Sequence, residues 1–384
     1  MKVKQIFNIM NNVTGEILGK TDIVQEDLAN IVEVGTEIFD AVSVDNYVKS
    51  LVNHIGKVIF VDRAYSGNVP SLMKDSWEYG SVLEKISAEL PEATENESWA
   101  LEDGKEYKQD IFHAPKVSAK FFNKQVTFEV PMSFTEKQVK ESFSNANQLN
   151  GFISMIYNAV DKSMTVKIDS LIMRTINNMI GETIHAEYGD DALATKSGMK
   201  AVNLLKLYND KFGKELTATQ SITDADFIRF ASYMMGLYVD RLSKISTLFN
   251  VGGKERFTAG DYLHIVMLSE FKSSATAYLS SDTFHDKYVA LPNAEVVPYW
   301  QGSGTDYSFD NTSKINVKTS TGAEVVAGGI LAIMYDKDAM GVSNIDKRVT
   351  TSYNAKAEFF NNYYKFDAGY FNDLNENFVV FFVA

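Results

Sequence analysis

The chain has 384 residues, of which 45% are hydrophobic and 23% charged, with no cysteine and five histidines. This composition is that of a globular protein with a sizeable core, and it excludes disulfides, thiolate metal sites and cysteine nucleophiles. A formal net charge of -13, from 50 acidic and 37 basic side chains, disfavours general nucleic-acid binding.

The N-terminal region begins without a recognisable signal peptide, because asparagines interrupt it before a long apolar stretch can form. Residues 1–40 show no clear hydrophobic period, and we interpret them as an arm that lies on a surface that the sequence does not identify. From Val44 to Ile59 the apolar residues keep the three-four spacing of one helical face. This spacing predicts an amphipathic helix that ends near Gly56.

Residues 79–130 combine strand-like ends with an acidic middle. Apolar and polar residues alternate over Val82–Leu90 and again over Val126–Val130, which is typical of half-buried strands. Between Glu78 and Asp110 lie ten carboxylates and three lysines, a net charge of -7. A two-stranded arm is marginal alone in water, so we predict that it docks on another surface, most economically on a second copy of the chain.

The middle of the chain is predicted to be helical. Thr135 with Gln138 forms a capping-box pattern, which predicts a helix start. From Phe152 to Ile180 apolar residues repeat every three or four positions, so this helix spans roughly 43 Å at about 1.5 Å per residue. Gly181 is predicted to end it.

The C-terminal half mixes helices and strands. The apolar run Phe378–Ala384 falls far short of the roughly 20 residues needed to cross a bilayer as a helix. We predict instead a buried strand that is paired inside a sheet. Helices that cluster before strands predict an α+β fold. Further helices are predicted through 199–212, 227–242 and 269–279, strands at 262–267, 295–300, 315–317, 330–335, 353–366 and 378–383, and a loop at 302–306.

Two motifs resemble catalytic sequences without completing them. Gly15–Thr21 has three residues between its glycines, where a phosphate-binding loop needs four. The serine-lysine spacing of penicillin-recognising enzymes occurs at Ser71 with Lys74 and again at Ser269 with Lys272, and no companion motif follows. We interpret both as chance matches.

Metal and acid-base sites receive no better support. No two histidines share the four-residue spacing that would place both on one helical face toward zinc. The acidic cluster Glu89–Glu106 lacks the ligand spacing of a calcium loop, so we interpret it as a solvated or partner-facing tip. The sequence predicts no catalytic residue, no metal site and no cofactor. Pairs of carboxylates that meet only in space leave a carbohydrate-active enzyme as an alternative.

The order of parts carries a family resemblance. Its carriers are Tyr47–Gly56 (YVKSLVNHIG), Lys120–Val130 (KFFNKQVTFEV), Phe143–Val160, Ile333–Met340 (IMYDKDAM) and Asn361–Lys365 (NNYYK), followed by the closing apolar strand. In this order the chain resembles the major capsid proteins of tailed bacteriophages, which have the Hong Kong 97-like fold, and most sharply those of small short-tailed phages.

The resemblance implies a division of the chain into parts. These are an N-terminal arm and amphipathic helix (1–56), a connection (57–78), an extended loop hairpin (79–130), a peripheral domain with a long spine helix (131–189), an axial domain (190–335) and a return to the peripheral sheet (336–384). It also implies that residues 79–130 lie over an adjacent subunit. No immunoglobulin-like domain is expected after the return.

The resemblance further implies a function and a set of partners. The chain is expected to be a non-enzymatic shell subunit that forms pentamers and hexamers around the phage genome. Its implied partners are a separate scaffolding protein, a portal protein and packaged double-stranded DNA, the last held by proximity without sequence specificity, and no membrane. The protein is expected in the virion, after assembly in the host cytoplasm. A nanocompartment shell of the same fold is the nearer alternative.

Candidate inter-subunit contacts follow from the acidic hairpin and the return. Some capsids of this family form lysine-asparagine isopeptides, for which Lys105 or Lys108 with Asn354 or Asn361 are the conceivable partners here. The contact candidates are Glu89, Glu92, Glu95, Glu97, Trp99, Glu102, Asp103, Lys105, Lys108 and Arg348.

Overall fold

A computed structural model of the chain describes residues 3–19, 24–41, 44–62, 67, 69–74, 83–91, 93–107, 112–280, 294–300 and 314–384. The helices are α1 Val3–Leu18, α2 Ile31–Ala41, α3 Val44–Asp62, α4 Glu136–Ser142, α5 Ala146–Tyr188, α6 Leu204–Phe212, α7 Ala218–Ser221, α8 Ala225–Leu242 and α9 Ser269–Ser280. The strands are β1 Met73–Lys74, β2 Leu83–Ala88, β3 Val117–Phe122, β4 Gln125–Thr135, β5 Ala201–Asn203, β6 Leu263–Leu268, β7 Ala294–Val297, β8 Ile315–Lys318, β9 Glu324–Ala327, β10 Ile330–Asp336, β11 Met340–Asn354, β12 Phe359–Asn372 and β13 Phe378–Phe382. This mixture confirms the α+β class.

The N-terminal segment is helical where the sequence was interpreted as an irregular arm. In α1, Ile6, Ile9, Met10 and Val13 are all buried, and their spacing is that of one helical face. Helix α1 packs on α3 within the same chain. In the described residues, the surface on which this segment lies is therefore the core of its own chain.

Helix α3 confirms the amphipathic helix predicted from residue 44. Its stripe from Tyr47 to Ile55 is buried in the core. The helix continues to Asp62, so Gly56 lies inside it and does not end it. The common core extends from α1 to β13 as one contiguous cluster of buried side chains.

Helix α5 is the predicted long helix, and it is longer than expected. Its 43 residues span roughly 65 Å at about 1.5 Å per residue. The predicted capping box is present one element earlier, where Thr135 and Gln138 exchange bonds of 2.9 and 3.2 Å at the start of α4. Gly181 lies inside α5, facing Val317 of β8 with no room for a side chain between them. The predicted helix end at Gly181 was therefore wrong, and Gly189, with φ of 58°, follows the last helical residue.

Four strands form what we call the long sheet, in the order β1-β11-β12-β4. Strands β11 and β12 make a long antiparallel hairpin with its turn between Asn354 and Phe359. The sequence predicted one strand over 353–366, which is wrong because the turn falls inside that range. β4 pairs with β12 from Gln125 to Thr135, so the alternating run Val126–Val130 belongs to this sheet and not to the acidic hairpin.

Five strands form what we call the central sheet, in the order β5-β13-β10-β6-β7. Strand β13 lies between β5, to which it is parallel, and β10, to which it is antiparallel. All five of its residues are buried, which confirms the prediction of a paired internal strand. The return of 336–384 was expected to form one sheet. In the structure it is divided, because β11 and β12 belong to the long sheet and β13 belongs to the central sheet.

Helices α6 and α8 lie near the central sheet and correspond to the two helices predicted over 199–242. Asp224 caps α8, accepting a 2.7 Å hydrogen bond from the backbone N–H of Phe227. The predicted loop 302–306 lies outside the described residues. Among the helices that the structure describes, none has the length and apolar character needed to cross a membrane.

Candidate assembly surface

Strands β2 and β3 form a two-stranded sheet of their own, paired antiparallel from Leu83–Phe122 to Ala88–Val117. We call residues 83–122 the ribbon: these two strands and the segment between them. No other strand in the described part of the chain pairs with the ribbon. The prediction of a two-stranded arm is confirmed for 83–88, while its second strand is 117–122.

The inner face of the ribbon is attached to its own subunit through charges. Lys85 and Lys120 lie opposite each other across the pair. Each donates to Asp373, at 2.9 Å in both cases. Lys85 also donates to Glu376 at 2.7 Å, and Arg256 donates to the same Glu376 oxygen at 3.2 Å. We call these five residues the ribbon latch.

The ribbon latch holds its charges in the ionised form. The side chain of Asp373 is 2% exposed, and burial alone would raise its pKa. Hydrogen bonds from Lys120 and Lys85 outweigh burial and hold the pKa below its ordinary value. Burial likewise works against the charge of Lys85, but hydrogen bonds to Glu376 and Asp373 raise its pKa overall. The latch is therefore a fully paired ionic cluster.

The outer face of the ribbon is apolar and uncovered. Ile86, Val117 and Phe121 point away from the subunit body and are 67%, 60% and 63% exposed. The alternation predicted from the sequence is present, but its sense is reversed. Lys85, Lys120 and Phe122 face the subunit, while Ile86, Val117 and Phe121 face outward beside Glu84. Several large exposed apolar side chains on one face are typical of an interaction surface.

The tip of the ribbon is also exposed. Trp99 is 99% and Phe112 89% exposed. A short turn is held by the hydroxyl of Tyr107, which accepts a hydrogen bond from the backbone N–H of Glu102 at 3.0 Å. The ammonium of Lys105 lies 5.4 Å from the centre of the same ring. The tip therefore presents an exposed tryptophan beside acids, and none of the described residues of its own subunit covers it.

The predicted contact residues of the ribbon fall into three groups. Glu89 pairs with Lys254 of its own chain at 2.7 Å; the hydrogen bond from Lys254 lowers the pKa of Glu89. The exposed group consists of Glu95, Trp99, Glu102, Asp103 and Lys105. Glu97 lies in a single 3₁₀ turn over Glu97–Trp99, and Glu92 and Lys108 lie outside the described residues.

The candidates in the return lie on the long sheet and are bonded within the chain. Arg348 donates to Asp367 at 2.6 Å and to Asp346 at 2.8 Å. Asn354 caps the β11–β12 turn, accepting from the backbone N–H of Lys356 at 3.1 Å. Asn361 accepts from Ser133 at 2.6 Å. Their roles between subunits stay predictions.

Sequence reasoning missed the apolar contributors Ile86, Val117, Phe121 and Phe112. The alternation of residues 117–121 was available as a signal. It shows that one face is apolar, but it does not show whether the subunit itself covers that face.

The serine-lysine pair at Ser71 and Lys74 and the potential metal ligands can be placed in the described residues. No cluster of three potential metal ligands is found among them. Ser71 donates to Glu295 at 2.6 Å and lies 2.7 Å from the hydroxyl of Tyr335. Lys74 donates to the carbonyl of Lys337 at 2.6 Å. Ser71 and Lys74 therefore each bond to other groups. These bonds link the connection (57–78) to residues of the central sheet and its following turn.

Comparison with known proteins gives one family and several structures. The sequence model of a family described as Phi29-like phage major capsid protein matches residues 8–382. A capsid chain of Staphylococcus phage Andhra is similar in structure at a TM-score of 0.50 and 10% identity, with 84% of this chain and 86% of that chain covered. A capsid chain of Cyanophage P-SCSP1u is similar at a TM-score of 0.45 and 10% identity, with 82% and 86% covered. Comparison with curated protein sequences gave no significant match.

Proposed function

The chain belongs to the Phi29-like phage major capsid protein family, and we propose that its copies assemble through pentamers and hexamers into an icosahedral shell in which each ribbon lies across a neighbouring subunit. As a major capsid protein it is a structural component of the virion. This assignment favours the phage shell over the nanocompartment and the carbohydrate-active enzyme.

We call the placement of each ribbon across a neighbouring subunit the clasp. The uncovered outer face of the ribbon is the observation that supports it. The inner face already has its partners in the ribbon latch, so the outer face is the one left for another molecule. Fully burying a side chain such as Ile86 or Phe121 stabilises by about 1.5–3 kcal/mol. Two or three such side chains on each copy give a contact that is weak singly and strong when repeated around a closed shell.

We propose that the other partners act around this clasp. Helices α1 and α3 are buried in the core of their own subunit, so they are not free to act as a fused scaffold. A separate scaffolding protein is therefore the expected assembly aid. A portal protein and packaged double-stranded DNA complete the set. The net charge of -13 suits a wall that leaves the packaged DNA free to move. The bonding of Ser71 and Lys74 fits a subunit without a catalytic role.

Polar substitutions on the outer face test the clasp. Ile86→Asp with Phe121→Asp is compared with Val326→Asp, another exposed apolar strand residue. Each variant is expressed with the scaffolding protein of the same genome. The wild type and Val326→Asp are expected to sediment as particles of megadalton size, while the ribbon variant stays as folded subunits. Particles from the ribbon variant at wild-type yield would contradict the clasp.

A further inference from the structure

A cleft between α6 and α8 is open at the surface of the subunit. It has a volume of about 420 Å³. Tyr208, Phe212 and Phe230 pack together with ring centres 4.9 to 5.9 Å apart, and Phe212 and the nearby Tyr233 are more than half exposed. We call these four residues and Lys211 the aromatic cleft. Exposed packed rings of this kind are enriched in interfaces.

Lys211, Lys214 and Arg229 line the aromatic cleft together with Asp226, which pairs with Arg229 at 3.2 Å. The ammonium of Lys211 lies 5.5 Å from the ring centre of Phe212, 5.6 Å from that of Phe230 and 5.8 Å from that of Tyr233. Lys211 and Lys214 are exposed, and neither is within salt-bridge distance of a carboxylate of the described residues. A preordered ammonium over rings suits an acidic segment that also carries an aromatic side chain.

The ribbon tip has that chemistry. Residues 93–107 contain five carboxylates against one lysine, with Trp99 almost wholly exposed. Both the tip and the aromatic cleft are present in one subunit, yet the exposure of Trp99 shows that the tip does not occupy its own cleft. Trp99 lies eleven residues beyond the last paired residue, Ala88, so the tip extends up to about 36 Å from the ribbon strands.

We propose that Trp99 of one copy docks in the aromatic cleft of a neighbouring copy, with Lys211 and Lys214 facing the acids of the tip. This inference rests on the proposed clasp and names the surface that receives its end. An apolar ribbon face adheres without fixing its position along the neighbour. A tryptophan in a cleft with complementary charges fixes that position, since charge complementarity sets register.

Engineered cysteines test the contact directly, because the chain has none of its own. Copies with Trp99→Cys are co-expressed with copies carrying Tyr233→Cys, and the purified particles are oxidised mildly and run on a non-reducing gel. Disulfides need Cα atoms within about 7 Å, so a covalent dimer is expected. Tyr233→Cys is replaced by Lys244→Cys in the control, about 16 Å further along at 1.5 Å per residue, and no dimer is expected there.

A second pair keeps the tryptophan intact. Glu102→Cys in one copy with Lys211→Cys in the other is expected to give the same dimer if Trp99→Cys prevents assembly. Dimers at the level of the Lys244→Cys control in closed particles, for both pairs, would overturn the inference. The clasp itself would survive that result, since the particles would still have formed.

Charge reversal gives an independent measure. Lys211→Glu is expected to reduce the particle yield about tenfold, because the loss at each contact is repeated around the shell. Adding Glu95→Lys and Glu102→Lys is expected to restore most of the yield, while Lys244→Glu leaves it unchanged. A Lys211→Glu variant that assembles like the wild type would count against the aromatic cleft as the docking site. Loss of particles only in the outer-face variants would support the clasp without the cleft.

Discussion

Asp373 is the residue on which the two lysines of the ribbon converge. Its carboxylate lies in the turn between β12 and β13, so the ribbon is fixed to a point where the long and central sheets meet. Each oxygen accepts from one lysine at 2.9 Å. Asp373 is therefore the point of the ribbon latch that both ribbon strands share.

Asp373→Asn is expected to lower the free energy of unfolding by about 1–3 kcal/mol at neutral pH, because it removes charge-assisted hydrogen bonds. The folded-state pKa of Asp373 is depressed. Its stabilisation is therefore complete above the ordinary aspartate pKa of about 3.9 and is lost as the pH falls through the folded value. Denaturant unfolding of both proteins should show their difference shrinking below about pH 4.

The exposed Asp346 provides the control for this measurement. Asp346→Asn is expected to change the free energy of unfolding by less than about 0.5 kcal/mol. A difference between the wild type and Asp373→Asn that stayed constant into acid would contradict the role of the charge.

Gly181→Ala tests the close packing of α5 on the β8–β9 hairpin. The added Cβ would meet a methyl of Val317, and Val317 has little rotamer freedom to yield. Overpacking of about 1–3 kcal/mol outweighs the roughly 0.5–1 kcal/mol gained in helix propensity, so thermal unfolding should occur at a lower temperature. Val317→Ala is expected to relieve the loss. Gly151→Ala on the same helix meets nothing within 4 Å and should stabilise.

At the scale of the element, the ribbon has a base held by charges and a tip whose Trp99 is almost wholly exposed. Deleting residues 91–109 is expected to leave a folded subunit, with its free energy of unfolding within about 1 kcal/mol of wild type. Particle yield should fall at least about tenfold, because the tip contact is lost. Sedimentation and electron microscopy with the scaffolding protein measure this. Replacement by glycine and serine at equal length should behave alike, and shells from either variant would contradict the clasp.

The elements that the sequence predicted well are those whose signal is local. The capping box at Thr135 and the stripe of α3 depend on neighbours within two turns of helix, and both are present. The apolar composition of β13 alone required an internal strand. The predicted helix end at Gly181 was wrong because this glycine allows close packing against Val317, which is distant in the sequence. A rule based on neighbouring residues cannot detect such a contact.

For the ribbon, the sequence did not determine which strand pairs with β2 or which face the subunit covers. Residues 117–121 and 126–130 alternate in the same way, so the sequence alone offers two partners for β2. Long-range pairing decides between them, because β4 pairs with β12 and β3 pairs with β2 in the ribbon. The covered side is decided by Asp373 and Glu376, which lie far along the chain from Lys85. No pattern within the hairpin contains that information.

At the scale of the whole molecule, one core connects the helices to both sheets. Helix α5 packs on strands of both, so neither sheet keeps its burial if the helix is lost. We expect a single cooperative unfolding transition. In a Trp77→Phe/Trp99→Phe variant, the buried Trp300 is the sole tryptophan and reports the central sheet, while circular dichroism reports the helices. The unfolding midpoints reported by Trp300 and by circular dichroism should coincide, and two separate midpoints would contradict a shared core.

The inner position of β13 also sets an order on biosynthesis. A ribosome makes β5, β6, β7 and β10 before residues 378–382, yet β13 is the strand that joins β5 to β10. The nascent sheet therefore has a gap until translation passes Phe382. A product of premature termination would leave two strand edges unpaired, which invites aggregation and proteolysis. A chain that lacks β13 is therefore expected to aggregate or to be proteolysed more readily than one that contains it.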